Sequence, residues 1–322
     1  MGNCCTGETG DAVPGSMTPA VHTSKTASNM DNTSSGSNDK HAPKPPVVLV
    51  TGEPKCMVSE IEKQLQKLTP FDYSMYSNPE FDGLPKLGPY RYENGAVYLG
   101  QYKHGMRHGA GKQVWKDGSV YEGYWYNDKS NFKGRLLKSN GAVYRGDWKD
   151  DQANGHGTDT GTDGTVCIGE WRDDKQWGRG KEIWADGTTY EGEYVNSLKQ
   201  GRGIFRWVDG STYHGQFAND EFDGQGVYSW SDGRVYTGEW RQNKMNGMSV
   251  YTKPKGKKYV GNYVDGNKHG YGDYFWGDGK AYQGFWFQGK QHGKGSFTDE
   301  KGVTRSGVWE NGEIVSWDDG QA

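Results

Sequence analysis

The chain has 322 residues, 51 of them glycine, and a formal net charge of −3. Leu, Ile, Val and Phe together number only 45, too few for an aliphatic core, which excludes a helical bundle or a doubly wound α/β enzyme. Trp, Tyr and Phe nevertheless number 44, whereas a disordered chain is aromatic-poor and strongly charged, so burial here must come from rings set among glycines.

No run of 18 apolar residues is present, so no transmembrane helix is expected. The first basic residue is Lys25, and a secretory signal needs a basic start and an apolar stretch. Four cysteines are no disulfide framework, which points to a reducing compartment. A pI near 6.3 gives no pull toward nucleic acid.

Residues 1–46 hold Ser, Thr, Asn, Gly and Pro without an aromatic and read as a disordered tail. The tail opens Met1-Gly2-Asn3-Cys4-Cys5-Thr6, the pattern that accepts an N-myristoyl group on Gly2. One myristoyl chain binds a bilayer only marginally, with K of about 10⁴ M⁻¹, so stable anchoring needs a second signal. Residues 2–24 carry no Lys or Arg, which leaves Cys4 and Cys5 as S-palmitoyl sites. A vicinal disulfide between them is the minor alternative. Random-coil scaling gives the tail a reach of about 35–40 Å.

Residues 47–89 form a connector. Met57, Ile61, Leu65 and Leu68 make one apolar stripe, predicting an amphipathic helix over about 56–69 that Pro70 ends. The helix is expected either to cover an end or patch of the sheet formed by the later residues or to stand alone. Pro79, Pro85 and Pro89 make the remainder turn-rich.

From Tyr90 the sequence repeats. Steps of 23 from Tyr98 lead to Tyr121, Tyr144, Cys167, Tyr190, Tyr213, Tyr236, Tyr259, Tyr282 and Arg305. Two residues beyond each mark stands Gly, from Gly100 to Gly307, and four beyond stands an aromatic, from Tyr102 to Trp309. Tyr-x-Gly-x-Trp has the period of a strand with Tyr, Gly and Trp on one face. A second strand carries glycines at +11 and +13 and aromatics at +15 and +17, as in Gly201, Gly203, Phe205 and Trp207. Asp-Gly at +19 and +20, as in Asp117-Gly118, predicts a two-residue hairpin turn. Each repeat is then one hairpin. The fold class is all-β: an elongated single-layer antiparallel sheet of about nine repeats, with no deep cavity, spanning roughly 85–90 Å. Rings from neighbouring strands are expected to lie across the glycine slots.

These residues, Tyr-x-Gly-x-Trp followed by His/Asn-Gly-x-Gly and a closing Asp-Gly, resemble the MORN repeat family over about 90–314. The stretches Tyr98–Gly118 and Tyr259–Gly279 fit nearly in full. Members of that family include membrane tethers, lipid-kinase appendages, cytoskeletal scaffolds and radial-spoke components, so the resemblance implies a platform for partners. Departures occur at Phe132, Gly161, Cys167, Ser249 and Lys253, where packing loosens locally, and lower order or altered twist is expected around 155–167. Tyr92, Asn94-Gly95 and Val97 read as an opening half-repeat, Arg305 to Trp309 as a cap, and 315–322 as a tail.

Other constellations are weaker. Residues 90–322 hold 31 Lys+Arg and 31 Asp+Glu, so phosphoinositide binding, which needs a basic face, rests only on Lys253-Pro254-Lys255-Gly256-Lys257-Lys258, read chiefly as a solvated turn. His108, His269 and His292 share a repeat position with Asn131, Asn154, Gln200 and Asn246, which favours hydrogen bonding to a turn over a metal. The run 155–164 lacks the Gly and Glu positions of a calcium loop. Thr51-Gly52 lacks the rest of a phosphate loop, and no nucleophile–base set stands out, so catalysis and cofactors are not expected. The candidate docking face is the ring row that includes Trp125, Trp148, Trp171, Trp184, Trp207, Trp230, Trp240, Trp276 and Trp286, since contiguous apolar patches mark interaction sites. The expected function is a membrane-anchored, non-catalytic scaffold for proteins at a cytosolic membrane face, with self-association possible through end strands. The alternatives are a structural component of a cilium, axoneme or cytoskeleton and, less favoured, a phosphoinositide module.

Overall fold

A computed structural model describes residues 69–318. Gly2, Cys4, Cys5 and the helix expected over 56–69, up to Leu68, lie outside the described residues. Twenty-one strands form one open antiparallel sheet. The first nine are β1 (Lys86–Arg91), β2 (Val97–Lys103), β3 (Met106–Val114), β4 (Val120–Tyr126), β5 (Lys129–Leu137), β6 (Val143–Lys149), β7 (Gln152–Thr160), β8 (Val166–Arg172) and β9 (Lys175–Ile183). They are followed by β10 (Thr189–Val195), β11 (Leu198–Arg206), β12 (Thr212–Ala218), β13 (Glu221–Ser229), β14 (Val235–Arg241) and β15 (Lys244–Thr252). The last six are β16 (Lys258–Val264), β17 (Asn267–Phe275), β18 (Ala281–Phe287), β19 (Lys290–Thr298), β20 (Thr304–Glu310) and β21 (Glu313–Trp317). The chain divides into two compact units, one of residues 69–185 with 194–197, the other of 186–193 with 198–318.

Within each unit the 23-residue beat sets the register. Glycines at +2 and +13 face one another from strand to strand: Gly100 opposite Gly111, Gly111 opposite Gly123, Gly123 opposite Gly134. The same ladder runs through Gly203, Gly215 and Gly226 in the second unit. Packing explains it. A Cβ on Gly111 would lie 2.5 Å from Cζ of Tyr98, and one on Gly100 would lie 2.5 Å from the Cα of Gly111. One tyrosine therefore covers two glycines, its own at +2 and the facing one at +13. The ring expected from a neighbouring strand is thus correct for the second glycine, and the strand's own ring covers the first.

The glycine at +11 has another role. In β2–β3 the pairs Gly100–Gly111 and Tyr102–Arg107 leave Gln101 facing three residues, His108 to Ala110. Gly109 at the centre of this bulge has φ +86, a left-handed conformation that favours glycine. The amide freed at Ala110 donates to Oε1 of Gln101 at 2.7 Å. Asp147 accepts from His156 N at 2.9 Å and Gln216 from Gln225 N at 2.7 Å in the same way. The acids and amides at +3 thus close the bulge.

The turns also differ from expectation. Asp-Gly sits in a five-residue loop: Trp115 N donates to Ser119 O at 2.9 Å, and Asp117 accepts from Ser119 N at 2.9 Å. The tight two-residue turns lie at +6 and +7, where both residues have positive φ, as in Asn127 (+48) and Asp128 (+68). This is the hairpin turn whose twist matches the strands. Asn, Asp and Ser tolerate it, so no glycine marks it in most repeats. The +7 side chain also reaches back one repeat: Asp128 accepts from Arg107 N at 2.8 Å and Asp220 from Lys199 N at 2.8 Å.

Residues 155–167 keep the strand order and register of the other repeats. β7 pairs with β8 without interruption from Gly155–Trp171 to Thr160–Val166, and with β6 through the usual bulge. The first strand of the sheet begins at Lys86 and the last runs to Trp317. Ile314 and Trp317 close over Gly307, 2.8 and 3.2 Å from a Cβ placed there, in the place of the tyrosine that Arg305 replaces.

Candidate functional site

One face of the sheet is the ring face. In the first unit Tyr98, Trp125, Tyr121, Trp148, Tyr144 and Trp171 form an alternating edge-to-face series, with centroids 5.0–5.4 Å apart and planes at 80–88°. In the second, Tyr213, Trp240, Tyr236, Tyr263, Tyr259, Trp286 and Tyr282 continue the pattern at 5.0–5.7 Å. This geometry sets ring edges against ring faces. Indole N–H groups add to it, Trp125 donating to Gly111 O at 3.3 Å and Trp286 to Gly272 O at 2.9 Å. Burial pushes the phenol pKa values up, that of Tyr236 to about 12.

The nine tryptophans expected to form a docking face are therefore already engaged. Trp125, Trp148, Trp184, Trp240 and Trp286 are buried, and Trp171, Trp207, Trp230 and Trp276 are half-buried. The exposed large apolar residues stand mostly on the other face or its borders. Met248, Tyr271, Phe285 and Phe287 are 66%, 56%, 51% and 48% exposed. Tyr271 and Phe285 meet edge to face at 5.8 Å. The sequence signal for Met248, Tyr271 and Phe285 was an apolar residue at +3 or +12, positions filled by polar side chains in most other repeats.

The same opposite face receives the connector. Phe132, the departure at +11, keeps the left-handed bulge conformation at φ +62 and stacks on Tyr76 at 4.7 Å. Tyr124, which replaces the usual acid or amide at +3, donates from its hydroxyl to Tyr76 O at 2.7 Å and packs on Phe81 at 5.8 Å. Arg135, 2% exposed, pairs with Glu122 and donates from Nη1 to Thr69 O at 2.8 Å. Gln101 Nε2 donates to Phe81 O at 3.0 Å. The irregularities of the second repeat are thus a seat for residues 69–84. His108 lies beneath it, its ring 5.5 Å from Phe81 and Nε2 3.7 Å from Glu80. Burial holds its pKa below the ordinary histidine value, outweighing the pull of Glu80.

Beyond the connector this face holds a groove of about 300 Å³ above Gly146 and Gly157, walled by Phe71, Met75 and Ile168. On the ring face, Asp159 and Cys167 stand opposite one another, where other repeats place rings. Asp159 pairs with Lys138 at 3.5 Å, yet burial raises its pKa.

Among the described residues no group of three or more His, Cys, Asp or Glu is placed to hold a metal. In the run 155–164, Asp163 accepts from Thr165 N at 2.9 Å and shapes a turn. The shared His/Asn/Gln position reaches the next turn, as in Gln200 Nε2 to Asn219 Oδ1 at 2.7 Å. Lys253 to Lys257 close a short 3₁₀ turn, Lys253 N donating to Lys257 O at 2.8 Å.

A family model described as the MORN repeat matches nine consecutive stretches: 98–120, 121–143, 144–166, 167–189, 190–212, 213–233, 236–258, 259–281 and 282–304. These cover well over half of the chain, which belongs to the MORN-repeat family. No curated protein matched the sequence. Among solved structures, the chain is similar to the TCP10 domain of Danio rerio CPAP in complex with a peptide of STIL, at 11% identity and TM-score 0.39, covering 71% of this chain and 97% of that one. It is also similar to the SAS-4 TCP domain of Drosophila melanogaster in complex with a proline-rich motif of Ana2, at 13% identity and TM-score 0.31, covering 48% and 85%. Membership of the family points to a protein-binding or membrane-associated repeat protein.

Proposed function

We propose that this protein is a non-catalytic, membrane-anchored scaffold that docks protein partners on its repeat array at the cytosolic face of a membrane. The observation that supports docking is the array itself: a repeat sheet whose ring face is closed on itself, with large apolar side chains standing exposed at Met248, Tyr271, Phe285 and Phe287. Anchoring rests on the sequence Met1-Gly2-Asn3-Cys4-Cys5-Thr6, with myristoyl on Gly2 and palmitoyl on Cys4 or Cys5 as the two signals stable residence needs.

Fractionation of cells expressing the wild type and Gly2→Ala tests the reading. The wild type should sediment with membranes and become soluble in detergent, while Gly2→Ala should be soluble throughout. A wild type that is soluble without detergent, or a first glycine found unacylated by mass spectrometry, overturns the anchor. Retention of both proteins with the detergent-extracted cytoskeleton supports instead the structural reading, in which the array bridges fixed partners in a cilium or cytoskeleton.

A further inference from the structure

The groove beyond the connector is where the described chain begins. Thr69 is fixed there by Arg135, and Phe71, two residues on, is itself a groove wall. The connector crosses the sheet in one direction. Going backward along the chain, it passes from β2, where Gln101 holds the carbonyl of Phe81, to Tyr124 on β4 and then to Arg135 on β5. The groove lies directly ahead on that line, over β5 to β8, between Lys133 and Ile168.

We propose that residues 56–68 occupy this groove as an amphipathic helix, crossing β5 to β8 with Met57, Ile61, Leu65 and Leu68 against its apolar walls. Two features of the two surfaces agree. The first is length: thirteen helical residues extend about 20 Å, and three strand spacings are about 14 Å. The second is apolarity. Met75 and Ile168 stand 52% and 45% exposed at the groove, and the helix presents a single apolar stripe. Direct covalent attachment at Thr69 keeps the segment at high effective concentration, so a modest contact suffices. Such a short helix is marginal in water on its own, which makes docking the condition for its order. This inference is independent of the lipid anchor.

Hydrogen exchange of the full chain, read by mass spectrometry over 57–68, tests it. Those amides should exchange at least about 10-fold more slowly in the wild type than in Leu65→Asp. Ile168→Asp, at an exposed groove residue, should lose the same protection, and Val227→Asp, on the same face of the second unit, should keep it. If Ile168→Asp alters the circular dichroism melt, Met75→Asp, at the other exposed groove wall, serves as the second groove variant, with the same loss of protection expected. Random-coil exchange in the wild type overturns the proposal. So does protection that survives both groove variants, which would mean a helix standing alone or docked elsewhere. Protection that grows with protein concentration assigns the segment to a second copy and also overturns it.

Discussion

Glycine carries most of the specificity at the level of single residues, in two different ways. At +2 and +13 it makes room: a methyl group on Gly111 would sit inside the ring of Tyr98, and the ring has no other slot. Gly111→Ala should therefore cost about 3 kcal/mol by overpacking, measured by urea unfolding. Gly105, in a tight turn at φ +82 with nothing within 4 Å of its would-be Cβ, provides the contrast. Gly105→Ala should cost only about 1 kcal/mol, from left-handed strain alone. At +11 the requirement is backbone conformation, and Phe132 shows that a side chain can occupy that position when aromatic contacts offset the strain.

Strand and connector exchange partners at the next scale. Arg135 is the pin: it neutralises Glu122 and binds Thr69 while 2% exposed. Arg135→Ala leaves Glu122 with only Lys112, at 3.3 Å, and should destabilise the chain by about 3 kcal/mol, with trypsin cleavage at Lys86 accelerated. His108 gives the same seat a pH dependence. Its pKa is lowered by burial, so the neutral ring is the folded form. The stability it provides is complete above the ordinary histidine pKa of about 6.5 and is lost as pH falls through the window below that value. Melting temperature should drop between pH 7 and 5, and His108→Gln should flatten that slope. A slope unchanged in His108→Gln would place the titration elsewhere.

For the molecule as a whole, the beat of 23 residues makes stability nearly a sum of neighbouring terms. Removing one complete period, residues 213–235, joins Thr212 to Tyr236 in phase. That variant should keep its strand signal per residue and melt cooperatively, a few degrees lower. Removing the eleven residues 213–223 instead deletes most of β12 and its turn, so that Gly224 follows Thr212 where Tyr213 belongs and the later hairpins fall out of the 23-residue phase. It should fail to melt cooperatively in circular dichroism. A deletion of 213–235 that also fails would mean that this repeat holds contacts its neighbours cannot replace.

The sequence by itself determined the period, the hairpin unit, the face on which Tyr, Gly and Trp meet, and the half-repeat that opens the array. All of these depend on spacing along one strand, which alternation of side chains makes visible. What only the tertiary structure decided depends on contacts between strands. The tight turn hid at Asn127-Asp128 rather than at Asp117-Gly118, because Asn and Asp enter the left-handed region without a glycine to mark it. The bulge at Gly109 is closed by Gln101 from the facing strand, a pairing that no local pattern displays. The tryptophans looked available because alternation fixes the face a residue points to and is silent on whether neighbouring rings already cover it. Tyr124, Phe132 and Arg135 read as departures from the repeat until residues 69–84 were seen lying on them.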